Sequence, residues 1–266
     1  KQATGILFHV PNIDHVTFID AAPKNPFDRP NTRLAGLLRF EEADKALNEI
    51  KVTGTVTYSG TSGLAALQDE SQAILVRFET NSIPEPGDLI EVLGFPTPGA
   101  YQPTLRRPRW RRIGTTNLPP ARPLNAHAVL DLKSTAKLVT LTATLTENHS
   151  ESAVPTLTLQ AKGIVFSADL SALGPAAAAP HLTPGHVIQV TGVCTIQADE
   201  WNTPRSFCIL VPSRTGVTVL REPDWLTIKH VAGAAAALAA IAIAGLIWLF
   251  TLRTRVARQT AHIRRD

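Results

Sequence analysis

Apolar and polar residues alternate one by one over several stretches of this chain, which is the period expected of strands with one buried face. In Ile50–Ser59, Lys51 and three threonines separate apolar or small residues, and Lys137–Thr146 repeats the pattern. Before the last apolar stretch, helical periodicity is limited to Leu34–Leu47 and the shorter Asn125–Leu132. The pattern therefore predicts that most of the chain forms β-strands.

The strands belong to a repeated unit of about 90–100 residues. Pro86–Phe95 matches Pro184–Val193, 98 residues later, and Val52–Val56 matches Leu141–Leu145, 89 residues later. Each unit contains five predicted strands with a break after the third, and Ser206–Leu220 is the predicted last strand of the second unit. This layout favours a Greek-key barrel of the OB type, whereas an immunoglobulin-like sandwich needs about seven strands.

A third match, between Val10–Ile19 and Val211–Leu220, links the beginning of the chain to the end of the second unit. We therefore interpret the first residues as the end of a truncated upstream repeat. The predicted fold class is all-β, with tandem five-stranded OB-like barrels followed by a single transmembrane α-helix. The predicted divisions are the upstream repeat (1–28), first barrel (29–118), second barrel (119–224), transmembrane helix (225–252) and start of a cytoplasmic signalling helix (253–266).

The transmembrane prediction rests on Val231–Leu252, 22 residues without charge or proline. As a helix this stretch is about 33 Å long, enough to cross a hydrocarbon core of about 30 Å. Trp225 and Trp248 lie near its ends, where amphipathic rings prefer to lie. Five arginines follow it, which places the C-terminal tail in the cytoplasm and residues 1–230 outside. The lipid bilayer is thus an expected partner.

The net charge of +4 lies in the tail, which holds five arginines and one aspartate, whereas the apolar stretch holds no charge. Residues 1–230 therefore sum to zero. A neutral outer part has no overall attraction for a polyanion. On this ground we expect no nucleic acid partner, and expect an unidentified extracytoplasmic ligand or protein instead.

One charged run in the outer part is a candidate binding surface for an anionic ligand. OB barrels can bind such ligands with basic strands and aromatic side chains. The alternative, which we favour, is an edge strand protected by charge and proline, or a surface that faces the neighbouring unit. The candidate residues are Arg106, Arg107, Arg109, Trp110, Arg111 and Arg112.

The two cysteines, Cys194 and Cys208, lie symmetrically about Trp201. A hairpin centred on that residue would place them on facing strands, where a disulfide could form outside the cytoplasm. Two buried free thiols are the alternative, and we favour it, because facing strand positions often have poor geometry for the bond.

The apolar stretch carries small residues at a spacing of four, which permits close approach of two helices. We therefore expect a homodimer. The predicted helix–helix contact residues are Gly233, Ala237, Ile241 and Gly245. The eight histidines do not cluster with each other or with the cysteines, and no phosphate-binding loop or nucleophile motif is present. The sequence predicts no catalytic residues, metal site or cofactor.

The first unit and the end of the apolar stretch carry a series of short motifs. It consists of Arg29-Pro30, Leu37–Phe40, Val52–Tyr58, Leu67–Glu70, Pro86–Gly94 and Trp248–Ala261. The series resembles the tandem OB-like repeats in the periplasmic sensor regions of certain bacterial histidine kinases. The second unit departs from it: Ala143 replaces Gly54, and Gln160-Ala161-Lys162 replaces Gln68-Asp69-Glu70. Any role of the acidic turn is thus confined to the first unit.

The resemblance implies the sensory and membrane-anchoring part of a two-component sensor histidine kinase in the bacterial inner membrane. Residues 1–230 would be periplasmic, and the kinase would lie beyond this sequence. A sensor of a diguanylate cyclase, or an anchored structural or adhesive module without signalling output, are the alternatives.

Overall fold

A computed structural model describes residues 9–17, 23–37, 48–79, 82–97, 103–130, 134–174, 182–198, 204–223 and 228–263. The chain divides into two compact units, Lys1–Arg221 and Glu222–Asp266. The first consists mainly of strands, and the described part of the second contains one helix.

Five strands form the first barrel, in the order β3–β2–β1–β4–β5. The start of β5 returns to β3, where the Thr104 hydroxyl donates a 2.7 Å hydrogen bond to the Leu75 carbonyl and closes the sheet. The strands are β1 (Ile50–Ser59), β2 (Leu64–Gln68), β3 (Ala73–Arg77), β4 (Asp88–Thr97) and β5 (Thr104–Thr115).

Seven strands form the second sheet, and five of them close into a ring because β10 pairs with both β7 and β11. Strands β9 and β11 run parallel, as the OB topology requires. The strands are β6 (Arg122–Pro123), β7 (Leu138–His149), β8 (Thr156–Ala161), β9 (Ile164–Asp169), β10 (Val187–Ala198), β11 (Pro204–Leu210) and β12 (Val217–Arg221). The predicted all-β fold with OB-like barrels and one terminal helix is confirmed.

The sequence repeat corresponds to equivalent strand pairs. Val52 lies opposite Val92 in the first barrel, and Leu141 lies opposite Val190 in the second. The separations along the chain are those of the two sequence matches. The repeated motifs therefore occupy the same register in both barrels.

The turn before the fourth strand is also repeated. Gly87 and Gly185 have φ angles of 95° and 98°, a region that favours glycine because it has no Cβ. Their N–H groups donate 2.8 Å hydrogen bonds to the carbonyls of Val56 and Leu145 respectively. The Pro-Gly step thus has the same backbone role in both units.

Each barrel has its own apolar core, and a third apolar cluster lies between them. Tyr58 and Ala66 of the first barrel pack there against Leu138, Val193 and Leu210 of the second. Across the same boundary the Leu138 N–H donates to the Gln68 side-chain oxygen at 3.3 Å. The barrels therefore form one packed body.

The helical predictions correspond to short helices that precede each barrel. Helix α1 covers Leu34–Leu37 and helix α2 covers Ala126–Val129. The Asn125 side chain caps α2 by accepting from the Ala128 N–H at 2.8 Å. The rest of the predicted Leu34–Leu47 helix lies outside the described residues.

The predicted single strand Ser206–Leu220 is wrong. Strand β11 ends at Leu210, and β12 begins only at Val217. Between them Pro212 has no N–H for a ladder, and a 3-10 turn follows over Arg214–Gly216. A Cβ on Gly216 would lie 2.7 Å from a carbonyl oxygen of β10, so the turn packs closely against that strand.

The start of the chain has the local conformation of this β11–β12 junction. Ile13–His15 forms the same 3-10 turn, preceded by Asn12 at φ −148° and ψ 152°, close to the −151° and 161° of Ser213. Ile13 is 68% exposed. That these residues end an upstream repeat stays a prediction.

The second unit is helix α3, Ile228–Ile263, 36 residues long. Within the described residues it is the one helix that is long and apolar enough to cross a membrane, by length and composition, over Gly233–Phe250.

Candidate functional site

OB barrels bind their ligands mainly on the outer face of the second and third strands. In the first barrel this face belongs to β2 and β3, whose outward side chains are Leu64, Ala66 and Leu75. All three lie in the cluster between the barrels, whereas the alternate residues Leu67 and Val76 point into the barrel core. The second barrel therefore covers the ligand face of the first.

The corresponding face of the second barrel is uncovered and polar. Thr158 lies opposite Ser167 across β8 and β9, and Gln160 lies opposite Val165. Thr144 of β7 extends the row next to Gln160. We call these five residues the polar face. Four of these side chains supply hydroxyl or amide groups that donate and accept hydrogen bonds, whereas Val165 is an exposed apolar side chain. Glu147 of β7 lies opposite Thr158, so a carboxylate borders the face, which suits a polar ligand.

Sequence reasoning missed the polar face, although its signal was present. Thr140, Thr142, Thr144 and Thr146 recur at every second position of β7, and Thr142, Thr144 and Thr146 are exposed. The same alternation that predicts a strand also indicates a polar outer side.

A groove of about 710 Å³ lies on the first barrel, beside the turn between β2 and β3. Its wall includes Thr53 and Thr55 of β1, Arg33 of the preceding segment, and Asn117 after β5. Arg33 and Glu70, the latter at the turn, give the groove charges of both signs.

Asp69 fixes the wall of this groove through one carboxylate. Oδ1 accepts from the N–H groups of Ser71 and Gln72, both at 2.7 Å, and from the Ser71 hydroxyl at 2.6 Å. Oδ2 accepts from the N–H of Leu34 at 2.9 Å, which joins the turn to helix α1. Burial raises the pKa of Asp69, but the hydrogen bonds from Ser71, Gln72 and Leu34 outweigh it, so the pKa is lowered overall.

The predicted arginine surface lies on β5, and three of its arginines pair with carboxylates. Arg109 pairs with Glu49 at 2.7 Å, as Arg111 pairs with Glu91. The third pair, Arg112 with Asp88, is also 2.7 Å long. These pairs neutralise much of the charge expected to attract an anion.

The remaining members of the surface differ in exposure. Arg106 and Arg107 are exposed, and Arg107 has a φ of 52° at a bulge in the β4–β5 ladder. Trp110 is half-buried: its ring meets Phe78 edge to face at 6.2 Å, and its N–H donates to the Ser82 carbonyl at 3.1 Å. Trp110 is therefore part of the barrel packing rather than a stacking surface, and anion binding by the arginines stays a prediction.

The disulfide considered between Cys194 and Cys208 is not formed, and both thiols are free and buried. The hairpin begins as expected with Ala198 opposite Pro204, but a bulge next to Gln197 shifts the register by one residue. The two side chains thus point to opposite faces, one into the second core and the other towards the first barrel. Burial raises the pKa of Cys194 to about 12, with a smaller contribution from Cys208.

The four predicted helix-contact residues are exposed on α3, and a Cβ added at Gly233 or Gly245 would meet nothing within 4 Å. Pairing through Gly233, Ala237, Ile241 and Gly245 stays a prediction. The described residues contain no group of three or more His, Cys, Asp or Glu side chains that could hold a metal ion.

No known protein family and no curated protein matches the chain. Among solved structures, a murine DNA-binding protein bound to double-stranded DNA is 9% identical at a TM-score of 0.31, covering 65% of this chain and 99% of that one. The Ifi202 HINa domain in complex with 20-base-pair DNA is 9% identical at a TM-score of 0.31, covering 66% and 100%. Replication protein A bound to single-stranded DNA is 13% identical at a TM-score of 0.31, covering 72% and 53%.

At such identities the similarity concerns the fold alone. The chain is an all-β protein of OB-like barrels with one apolar C-terminal helix. The prediction of no nucleic acid partner conflicts with these similar structures, which are described as bound to DNA, and it is not retained as an exclusion. Its physical basis was also insufficient: a net charge of zero sums over the whole outer part, whereas binding depends on the charge of one face.

Proposed function

We propose that this chain is the extracytoplasmic, membrane-anchoring part of a signal-transduction receptor. The observation that supports this most is helix α3, which runs without interruption from Ile228 to Ile263. Its apolar part ends near Phe250, and the same helix continues into the arginine-rich residues that follow. A continuous helix of this kind can transmit a shift or a rotation to a domain attached beyond it.

Within this proposal the second barrel senses the ligand, since its polar face is uncovered while the equivalent face of the first barrel is packed. The first barrel then acts as a rigid neighbour. Residues 1–230 would lie in the periplasm and the arginine-rich tail in the cytoplasm.

The output we propose is a histidine kinase, in line with the resemblance of Trp248–Ala261 to the membrane exits of such receptors. A diguanylate cyclase is the alternative output. A structural or adhesive module would share the anchor but would need no continuous helix beyond the bilayer.

The membrane placement is tested by protease protection in bacterial spheroplasts, with the chain exported behind a cleavable signal and tagged at both ends. We expect added protease to remove the N-terminal tag and leave the C-terminal tag. Loss of both tags, or protection of both, would contradict the proposed orientation.

The signalling role is tested by joining residues 1–263 to the catalytic part of a histidine kinase and inserting one to four alanines after Ile263. Each added residue rotates the attached domain by about 100°. We expect kinase output to rise and fall with the number of inserted residues. Output that ignores every insertion would favour the anchored module without signalling.

A further inference from the structure

The last strand of the second barrel has an open edge. Strand β12 (Val217–Arg221) pairs with β10 on one side, and within the described part of the chain no strand pairs with its other side. Val219 and Leu220 are 40% and 53% exposed. An open edge with exposed apolar side chains is a template on which another strand can pair.

The first barrel contains the same strand in the second half of β5. Arg112 lies opposite Ile90 in the first barrel, and Val219 lies opposite Ile188 in the second. Both ladders have a bulge next to this pair. The bulge leaves Ile113 exposed in the first barrel, as it leaves Leu220 in the second.

Charge protects this position in the first barrel. Arg111 pairs with Glu91 and Arg112 with Asp88, each at 2.7 Å. Both arginine side chains are about half exposed. Half-exposed guanidinium groups on an edge oppose the pairing of another strand, because that strand would remove the water around them.

The two arginines and the two carboxylates of these ion pairs are all replaced in the second barrel by residues without formal charge at pH 7. Thr218 and Val219 take the places of the two arginines, opposite Gln189 and Ile188. Gln189 replaces the glutamate, and His186 replaces the aspartate at the turn before the fourth strand. Both ion pairs are therefore absent together. The only charged side chain of β12 is Arg221 at its end, whereas the counterpart strand carries Arg111 and Arg112 in its middle.

We propose that β12 pairs antiparallel with the β12 of a second copy of this chain. An edge strand is complementary to itself under a two-fold axis, so the same residues can serve both copies. A five-residue strand buries far less than the roughly 1,200 Å² of a stable interface. The pairing therefore needs the high effective concentration of two chains held in one membrane, and in this respect it rests on the proposed anchoring.

The test uses the full chain in phosphatidylcholine–phosphatidylglycerol vesicles, with flotation as the check on anchoring. A cysteine is introduced by Leu220→Cys or, as the matched control, by Ile113→Cys. The chain with only its buried native cysteines is the blank. Under copper-phenanthroline oxidation we expect Leu220→Cys to form covalent dimers at least about tenfold faster than Ile113→Cys.

Adding Val219→Arg to Leu220→Cys restores the residue of the first barrel and should slow cross-linking by about tenfold. Thr218→Arg gives a second variant at an exposed position, and Thr142→Arg, on the exposed face of β7, should have no effect. Equal rates for Leu220→Cys and Ile113→Cys, or rates unchanged by both added arginines, would overturn the inference. If the chain did not float with the vesicles, the proposed anchoring would be refuted, and the pairing that depends on it would be refuted as well.

Discussion

The carboxylate of Asp69 offers the sharpest test of how the first barrel is held together. It accepts three backbone N–H groups and one hydroxyl. Hydrogen bonds to a charged group contribute about 1.5–3 kcal/mol each, but a partly exposed site lets water replace some of them. We therefore expect Asp69→Ala to lower the free energy of unfolding by about 2–3 kcal/mol, and Asp69→Asn by about 1 kcal/mol.

The pH dependence of this loss follows from the direction of the pKa shift. Burial opposes the charged form of Asp69, but the hydrogen bonds from Ser71, Gln72 and Leu34 lower its pKa below the ordinary value of 3.8. The contribution to stability is therefore complete above the ordinary pKa and is lost as the pH falls through the lowered pKa of the folded state. The difference between the parent chain and Asp69→Asn should shrink over that acidic range.

The assay is urea unfolding of the full chain in a mild detergent, followed by tryptophan fluorescence between pH 2.5 and 7. Glu70→Ala is the matched control, because its carboxylate makes no hydrogen bond to a described residue and lies one position away. It should change stability by less than about 0.5 kcal/mol. If Asp69→Ala lowered the free energy of unfolding no more than Glu70→Ala, the conclusion that Asp69 attaches the turn to α1 would be refuted.

Three further predictions concern the packing of the barrels. Gly54→Ala should destabilise the chain by about 1–3 kcal/mol, since its Cβ would lie 2.9 Å from a carbonyl oxygen of β2. Ala143→Gly at the equivalent position should cost at most about 1 kcal/mol. Urea midpoints measure both changes, and a Gly54→Ala variant as stable as the parent chain would refute the close contact. Burial, then Asp169 and Cys208, raise the pKa of Tyr58 to about 12, so the parent chain should lose stability between pH 10 and pH 12 as the unfolded state ionises first. Tyr58→Phe should weaken this dependence and leave the part due to the buried thiols, whereas an alkaline unfolding curve identical to that of the parent chain would refute the contribution of Tyr58. Diamide should form no intramolecular disulfide between the two native thiols of the folded chain, which mass spectrometry of non-reduced peptides checks, and a cross-linked peptide would refute the shifted register.

The register of the strands could be predicted from the sequence because the two units have matching residues at equivalent positions. Pro86–Phe95 and Pro184–Val193 carry the same Pro-Gly turn followed by the same alternation, and each pairs with the first strand of its barrel. Local pattern and tertiary pairing agree there, so the sequence match extends to the structure.

Features that depend on an unseen partner could not be predicted in the same way. The arginines of β5 form a dense charge run along the chain, but their partners come from distant positions. Glu91 and Asp88 meet the arginines only when β4 and β5 pair, and Glu49, which precedes β1, meets Arg109 only when the barrel forms. The cysteine register depended on a single bulge, which spacing alone does not reveal.

The sequence of β2 and β3 does indicate that the outer face of the first barrel is covered. Strands β2 and β3 read LAALQ and AILVR, with little polar alternation. Continuous apolar runs of this length are typical of strands buried on both faces. The equivalent strand β8 reads TLTLQA, with one polar face. The contrast between the repeats therefore indicated which barrel is packed on its outer side.

This contrast recurs at the strand edge, and the two observations together assign different roles to similar units. The first barrel has its ligand face packed against the second and its β5 edge protected by Arg111 and Arg112. Among the described residues, nothing covers the polar face or the β12 edge of the second barrel. Two copies of one fold with equal roles would be expected to share their surface chemistry, since the core and register are shared. Because the differences concern the outer surfaces, we infer that the first barrel supports the second, and that recognition and pairing both belong to the barrel next to α3 in the sequence.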